Sequence, residues 1–86
     1  MKYAVAIARP AVKLLDTLDR TTEGRIRQRL QELSLNPLDP RLSSRMETEK
    51  DKRYSRVGDW RIIYRIEGTQ IFVITIRHRR EVYKKI

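Results

Sequence analysis

An α+β fold follows from three features of the sequence: a short β-prone start at residues 3–8, two consecutive stretches of helical apolar spacing between Ala11 and Leu33, and three β-prone segments after residue 51. The expected order is a short first strand, a two-helix hairpin and then a three-stranded antiparallel meander, with the helices packed on one face of the sheet. The 86 residues suit one domain, 1–86.

The first strand should stop at Pro10, whose fixed φ suits the first turn of a helix. From there Ala11, Leu14, Leu15 and Leu18 recur at helical spacing and form a face for the sheet. Thr21 or Thr22 can cap a second helix, with Glu23 favourable in its first turn and Ile26, Leu30 and Leu33 as its apolar stripe. Asn36-Pro37-Leu38-Asp39-Pro40 must end that helix, and the polar segment 41–51 is expected to be an irregular connection. The β-prone segments run over about 52–57, 60–67 and 70–77, joined at Gly58-Asp59 and Gly68-Thr69 by tight hairpins. Period-two alternation puts Trp60, Ile62, Tyr64 and Ile66 toward the helices and Arg61, Ile63 and Arg65 on the open face. On the last strand the same reasoning assigns Phe72, Ile74 and Ile76 to the core and Ile71, Val73, Thr75 and Arg77 to the side of Arg61.

Charge narrows the partners. Residues 1–49 carry 9 basic and 7 acidic side chains and residues 50–86 carry 11 and 4, so most of the formal +9 lies in the strand region. Such a one-sided field attracts polyanions, either nucleic acid or an acidic protein. At this length folding removes only roughly 60–65% of the chain's surface from water, so a mixed apolar and basic sheet face should be covered by a partner. The absence of cysteine excludes disulfides and thiolate chemistry, and one histidine among scattered carboxylates argues against a structural zinc site. The apolar run after Lys2 is shorter than a signal-peptide core or a membrane span, which suggests a cytoplasmic protein with no membrane partner.

Lys52, Tyr54 and Arg56 alternate on one segment, and antiparallel pairing could bring them beside Arg61. That set fits RNA scission by the RNA's own 2′-hydroxyl, which needs a proton acceptor, positive charge on the phosphoryl oxygens and protonation of the departing 5′-oxygen. Guanidinium forks suit the phosphoryl oxygens, and neither a metal nor any other cofactor is required. Each residue also has a plainer role. Arg56, Arg61 and Arg79 could be solvated surface cations; His78 falls in phase with the core; Tyr83 could simply pack its ring; Lys50, Lys84 and Lys85 could supply only general electrostatics. Tyr54 is the better stacking ring, since Trp60 is in phase with the core.

The element order, together with Arg56-x-Gly-Asp-Trp-Arg61-x-Ile-Tyr64 and the closing His78-Arg-Arg-x-Val-Tyr83, resembles the RelE branch of the RelE/ParE toxin superfamily. The resemblance spans nearly the whole chain and implies a RelE-like fold. It also implies a type II toxin that enters the ribosomal A site, cuts mRNA there and is silenced by a cognate antitoxin. It assigns Arg61 to the pentavalent phosphate, Arg79 to the leaving oxygen, and Tyr83 to base stacking or deprotonation. Lys52 and Arg56 fall on basic positions of the preceding strand, with Arg77, Arg80 and Lys50 as further cations for RNA. This chain has Tyr54 where relatives carry a second lysine, so the general base is open among Lys52, Tyr83 and His78. The alternatives are a ParE-type gyrase inhibitor on the same scaffold and a basic module that binds RNA or an acidic protein without cutting.

Overall fold

A computed structural model describes residues 2–80. Its elements are β1 (Ala4–Ile7), α1 (Arg9–Thr17), α2 (Arg20–Leu35), β2 (Ser44–Arg45), β3 (Arg53–Val57), β4 (Trp60–Glu67) and β5 (Gln70–His78). The α+β architecture matches expectation, with the helices against one side of the sheet and the meander intact. The sheet has five strands in the order β1-β5-β4-β3-β2, with β1 parallel to β5 and the other pairs antiparallel. The fifth strand, β2, lies in the segment expected to be irregular, where two residues, Ser44 and Arg45, pair with Tyr54 and Arg53. No hydrophobic alternation marks so short an edge strand, so period-two reasoning had nothing to detect. No helix among the described residues is long and apolar enough to cross a membrane.

Pro10 sits in the first turn of α1 as its missing N–H allows. The cap of α2 is Asp19, not Thr21 or Thr22: its carboxylate accepts the backbone N–H of Thr22 at 3.0 Å and the Thr22 hydroxyl at 2.7 Å. Asp19 outcompetes the threonines because its charge also meets the positive end of the helix dipole. The Thr22 hydrogen bonds in turn hold its pKa below the ordinary value. Both hairpins place a glycine with positive φ first in a two-residue loop, Gly58 at 60° and Gly68 at 61°, the pattern of a II′ turn.

The core is built from Ala11 and Leu15 of α1, Ile26, Leu30 and Leu33 of α2, and Val57, Ile62, Tyr64, Ile71, Val73 and Ile76 of the sheet. On β5 this corrects the facing read from the sequence: Ile71 and Val73 are fully buried, whereas Phe72 and Ile74 are only partly buried. The cause is a bulge. Tyr64 opposes Val73 while Ile63 opposes Thr75, which leaves Ile74 without a partner. Before the bulge odd-numbered residues of β5 face the core; after it Ile76 does, and Thr75 and Arg77 join the open side.

The chain from Asn36 to Ser43 is tied to the sheet by Tyr64. Its buried hydroxyl lies 2.7 Å from the Pro37 carbonyl oxygen and 2.5 Å from Ser43 Oγ, to which Arg53 Nε also donates at 2.6 Å. Removing that hydroxyl in Tyr64→Phe strands buried polar atoms and should cost about 1–3 kcal/mol in urea unfolding at neutral pH. Burial pushes the Tyr64 phenol above its ordinary pKa of 10.0. The unfolded chain therefore releases this proton first, and the phenol's contribution to stability should be complete below that value and decline as pH rises through it. Unfolding curves of Tyr64→Phe should lack that component of the alkaline loss.

Candidate functional site on the open sheet face

Antiparallel pairing aligns three arginines in one row. Arg56 on β3 opposes Arg61 on β4, and Arg61 opposes Arg77 on β5. Directly opposed residues share a face, so all three side chains stand on the side away from the helices. The next row is Tyr54, Ile63 and Thr75. The Arg61 guanidinium lies over the Tyr54 ring, 4.7 Å from its centroid, a cation–π contact that orients both groups.

The end of β5 brings Arg79 to this row. Its backbone N–H donates to the Asp59 carbonyl at 2.6 Å and its Nε lies 3.7 Å from Asp59 Oδ1. Both side chains are mostly exposed, so the ion pair is weak and can be exchanged for another anion. Arg56, Arg61 and Arg79 together with Asp59, Trp60 and Gly58 line one small cleft at the β3–β4 turn. Arg61 and Arg79 thus line the same cleft. Asp59 is a carboxylate inside the cleft that the sequence suggested only as a turn residue.

Other expected residues lie elsewhere. Lys52 precedes β3 and does not line the cleft; its ammonium donates to Glu49, so its charged neighbour is an acid in place of the expected cations. His78 opposes Trp60 and presents its ring to the indole edge-on, with centroids 5.0 Å apart and planes at 89°. Its Nδ1 accepts the backbone N–H of Arg80 at 3.1 Å. Arg80 and Lys50 are exposed and outside the cleft. Tyr83 lies outside the described residues.

Arg29 of α2 was not singled out from the sequence. Its Nη1 donates to Ser55 Oγ at 2.9 Å and to the Arg56 carbonyl at 2.5 Å, and its Nε donates to Glu32 at 3.0 Å. It fastens the helix to the strand edge just where Arg56 projects. Helical periodicity marks Arg29 only as polar, and its reach across to β3 depends on tertiary packing.

The rest of the open face is partly apolar. Phe72, Ile63 and Ile74 are half-buried, and the Arg65 guanidinium covers the Phe72 ring at 5.2 Å from its centroid. Cations bordered by apolar surface suit an anion carried on an amphipathic chain or a ribose-phosphate backbone.

Against this geometry, the sequence profile described as ParE toxin of type II toxin–antitoxin system, parDE, matches residues 5–83. The chain belongs to the RelE/ParE superfamily of type II toxins. Its fold is that of solved RelE structures. The RelBE2 toxin–antitoxin complex from Mycobacterium tuberculosis aligns with TM-score 0.80 and 24% identity over 92% of this chain and 100% of that one. The archaeal RelE–RelB complex from Pyrococcus horikoshii aligns with TM-score 0.75 and 26% identity over 92% and 97%. The isolated E. coli RelE toxin aligns with TM-score 0.76 and 20% identity over 95% and 92%. No match was found among curated proteins.

Like charges set directly across strands repel, and the row of Arg56, Arg61 and Arg77 carries that cost in the unliganded toxin. Arg77→Gln should raise unfolding stability by roughly 0.2–1 kcal/mol at low ionic strength, with the gain shrinking in high salt as screening removes the repulsion. Urea titrations at two salt concentrations measure it; an equal gain at both would mean that the row is not electrostatically strained.

Proposed function

We propose that this toxin acts as a RelE-type, ribosome-dependent mRNA endonuclease in the cytoplasm and stops translation. The observation that carries the reading is the convergence of Arg56, Arg61 and Arg79 on one cleft of the helix-free face. In the proposed reaction the substrate's 2′-oxygen bonds to phosphorus and the bond from phosphorus to the 5′-oxygen breaks, giving a 2′,3′-cyclic phosphate. Arg61 and Arg56 neutralise the phosphoryl oxygens as charge builds there, and Arg79 exchanges Asp59 for the leaving 5′-oxygen, which takes its proton from water. Arg77 and Tyr54 flank the substrate strand, while Arg80 and Lys50 draw RNA in by charge. The 2′-proton goes to Lys52, Tyr83 or His78. Lys52 must first give up Glu49 and His78 must turn out from Trp60, which favours Tyr83. The scheme uses no metal.

An acidic antitoxin segment, disordered when free, is proposed to lie across the same face, its carboxylates on Arg61, Arg65 and Arg77 and its apolar side chains on Phe72 and Ile63. The matched structures from Mycobacterium tuberculosis and Pyrococcus horikoshii are toxin–antitoxin complexes, in keeping with such a partner.

Gyrase inhibition is the second reading, favoured by the ParE description of the matching profile. Primer extension on mRNA in a translating extract separates the two. Wild-type toxin should give cuts in codon register that need ribosomes, and Arg61→Ala should slow them by about 10²–10³-fold while folding normally. DNA breaks and an SOS response with intact mRNA would overturn the nuclease reading.

A further inference from the structure

A second groove, about 400 Å³, opens at the β2 edge of the same face. Its lining includes Arg29, Arg41, Ser43, Ser44, Tyr54 and Arg56, so Arg56 borders both this groove and the arginine cleft. The volume falls in the range of small-ligand sites, roughly 300–1,000 Å³. Ser44 and Tyr54 are directly paired across β2 and β3, so a hydroxyl and a phenol ring stand together as its floor.

Its cations are held in place in two ways. Arg41 is set by Asp39, whose carboxylate accepts Nε at 3.2 Å, Nη2 at 2.9 Å and the backbone N–H at 2.9 Å, while 85% of the Arg41 side chain remains exposed. A guanidinium already oriented loses less freedom when it meets a phosphate. Arg29 forms the wall toward α2, its charge partly balanced by Glu32. Arg56 has no carboxylate in ion-pairing range among the described residues.

We infer that this groove is a subsite for one nucleotide of single-stranded RNA, adjacent to the nucleotide whose phosphate sits at Arg61. Arg41 and Arg56 hold its phosphate, and the base lies beside Ser44 against the face of Tyr54 opposite Arg61. The inference rests on the RNA-cutting reading for its substrate class and adds to it a fixed direction: the strand leaves the cleft past Arg56 toward β2. Aromatic floors tolerate any base, so the groove contributes affinity and register more than sequence preference.

The test uses a labelled, 2′-O-methylated RNA hexanucleotide, which cannot be cut, with binding followed by fluorescence anisotropy across salt concentrations. Arg41→Ala should weaken binding roughly fivefold and lower the salt slope by about one, as loss of one phosphate contact predicts. Ser44→Glu, at an exposed position that the core does not depend on, should weaken binding at least as much. If both variants bind as tightly as wild type while Arg61→Ala does not, the subsite is wrong. Failure of wild type to bind at about 50 mM salt, where phosphate contacts are strong, would overturn it as well. If the variants lose affinity but wild type makes no ribosome-dependent cuts, the subsite stands and the nuclease reading falls.

Discussion

On β5, residues 71, 73, 75 and 77 have the same parity, so a regular strand that buries Ile71 and Val73 would also drive Arg77 into the core. Burying an arginine there without a partner would cost several kcal/mol, more than so small a domain can absorb. The extra residue at Ile74 removes the conflict. It lets the first half of β5 fill the core with Ile71 and Val73 and the second half with Ile76, and it turns Arg77 outward beside Arg61. Core packing and the arginine row are therefore two results of one local irregularity.

The row sits uneasily in a chain that carries +9 overall. Three aligned guanidinium groups repel one another; the Tyr54 ring lies under Arg61, and Asp59 stands beside the neighbouring Arg79. Strain of that kind is relieved by an anion, so the same feature that weakens the free domain strengthens its hold on a phosphodiester or an acidic peptide. Opposing ligands can then compete for one face without any change of fold. Under the proposed function, a carboxylate-rich segment on this face would exclude RNA because both neutralise the same cations.

Much of this was legible in the sequence. Strands β3 and β4 follow from the Gly58 and Gly68 turns and from strict alternation, and Arg61 was placed correctly because β4 is regular. The facing of Ile71 to Ile74 was not legible, since a bulge leaves no mark in an unbroken apolar run such as Ile71-Phe-Val-Ile-Thr-Ile76. The place of Arg79 beside Arg61 was implied only by the family resemblance, since Arg79 lies just past the end of β5. Lys52 stands apart because it lies four residues before Arg56, roughly 13 Å back along the strand from a cleft set at the β3–β4 turn. Arg29 and Ser44 were invisible for another reason: Arg29 matters through Ser55, distant in sequence, and Ser44 lies on a strand too short to register.

The sheet order has a consequence for how the molecule comes into being. β1 pairs only with β5, Ala4 against Gln70 and Ile7 against Val73, so the earliest strand to be translated has no place to dock until nearly the whole described chain has emerged. Contacts of such long sequence separation form slowly. A nascent copy consequently lacks β5 until Gln70–His78 has been made, and its arginine row stays incomplete until then.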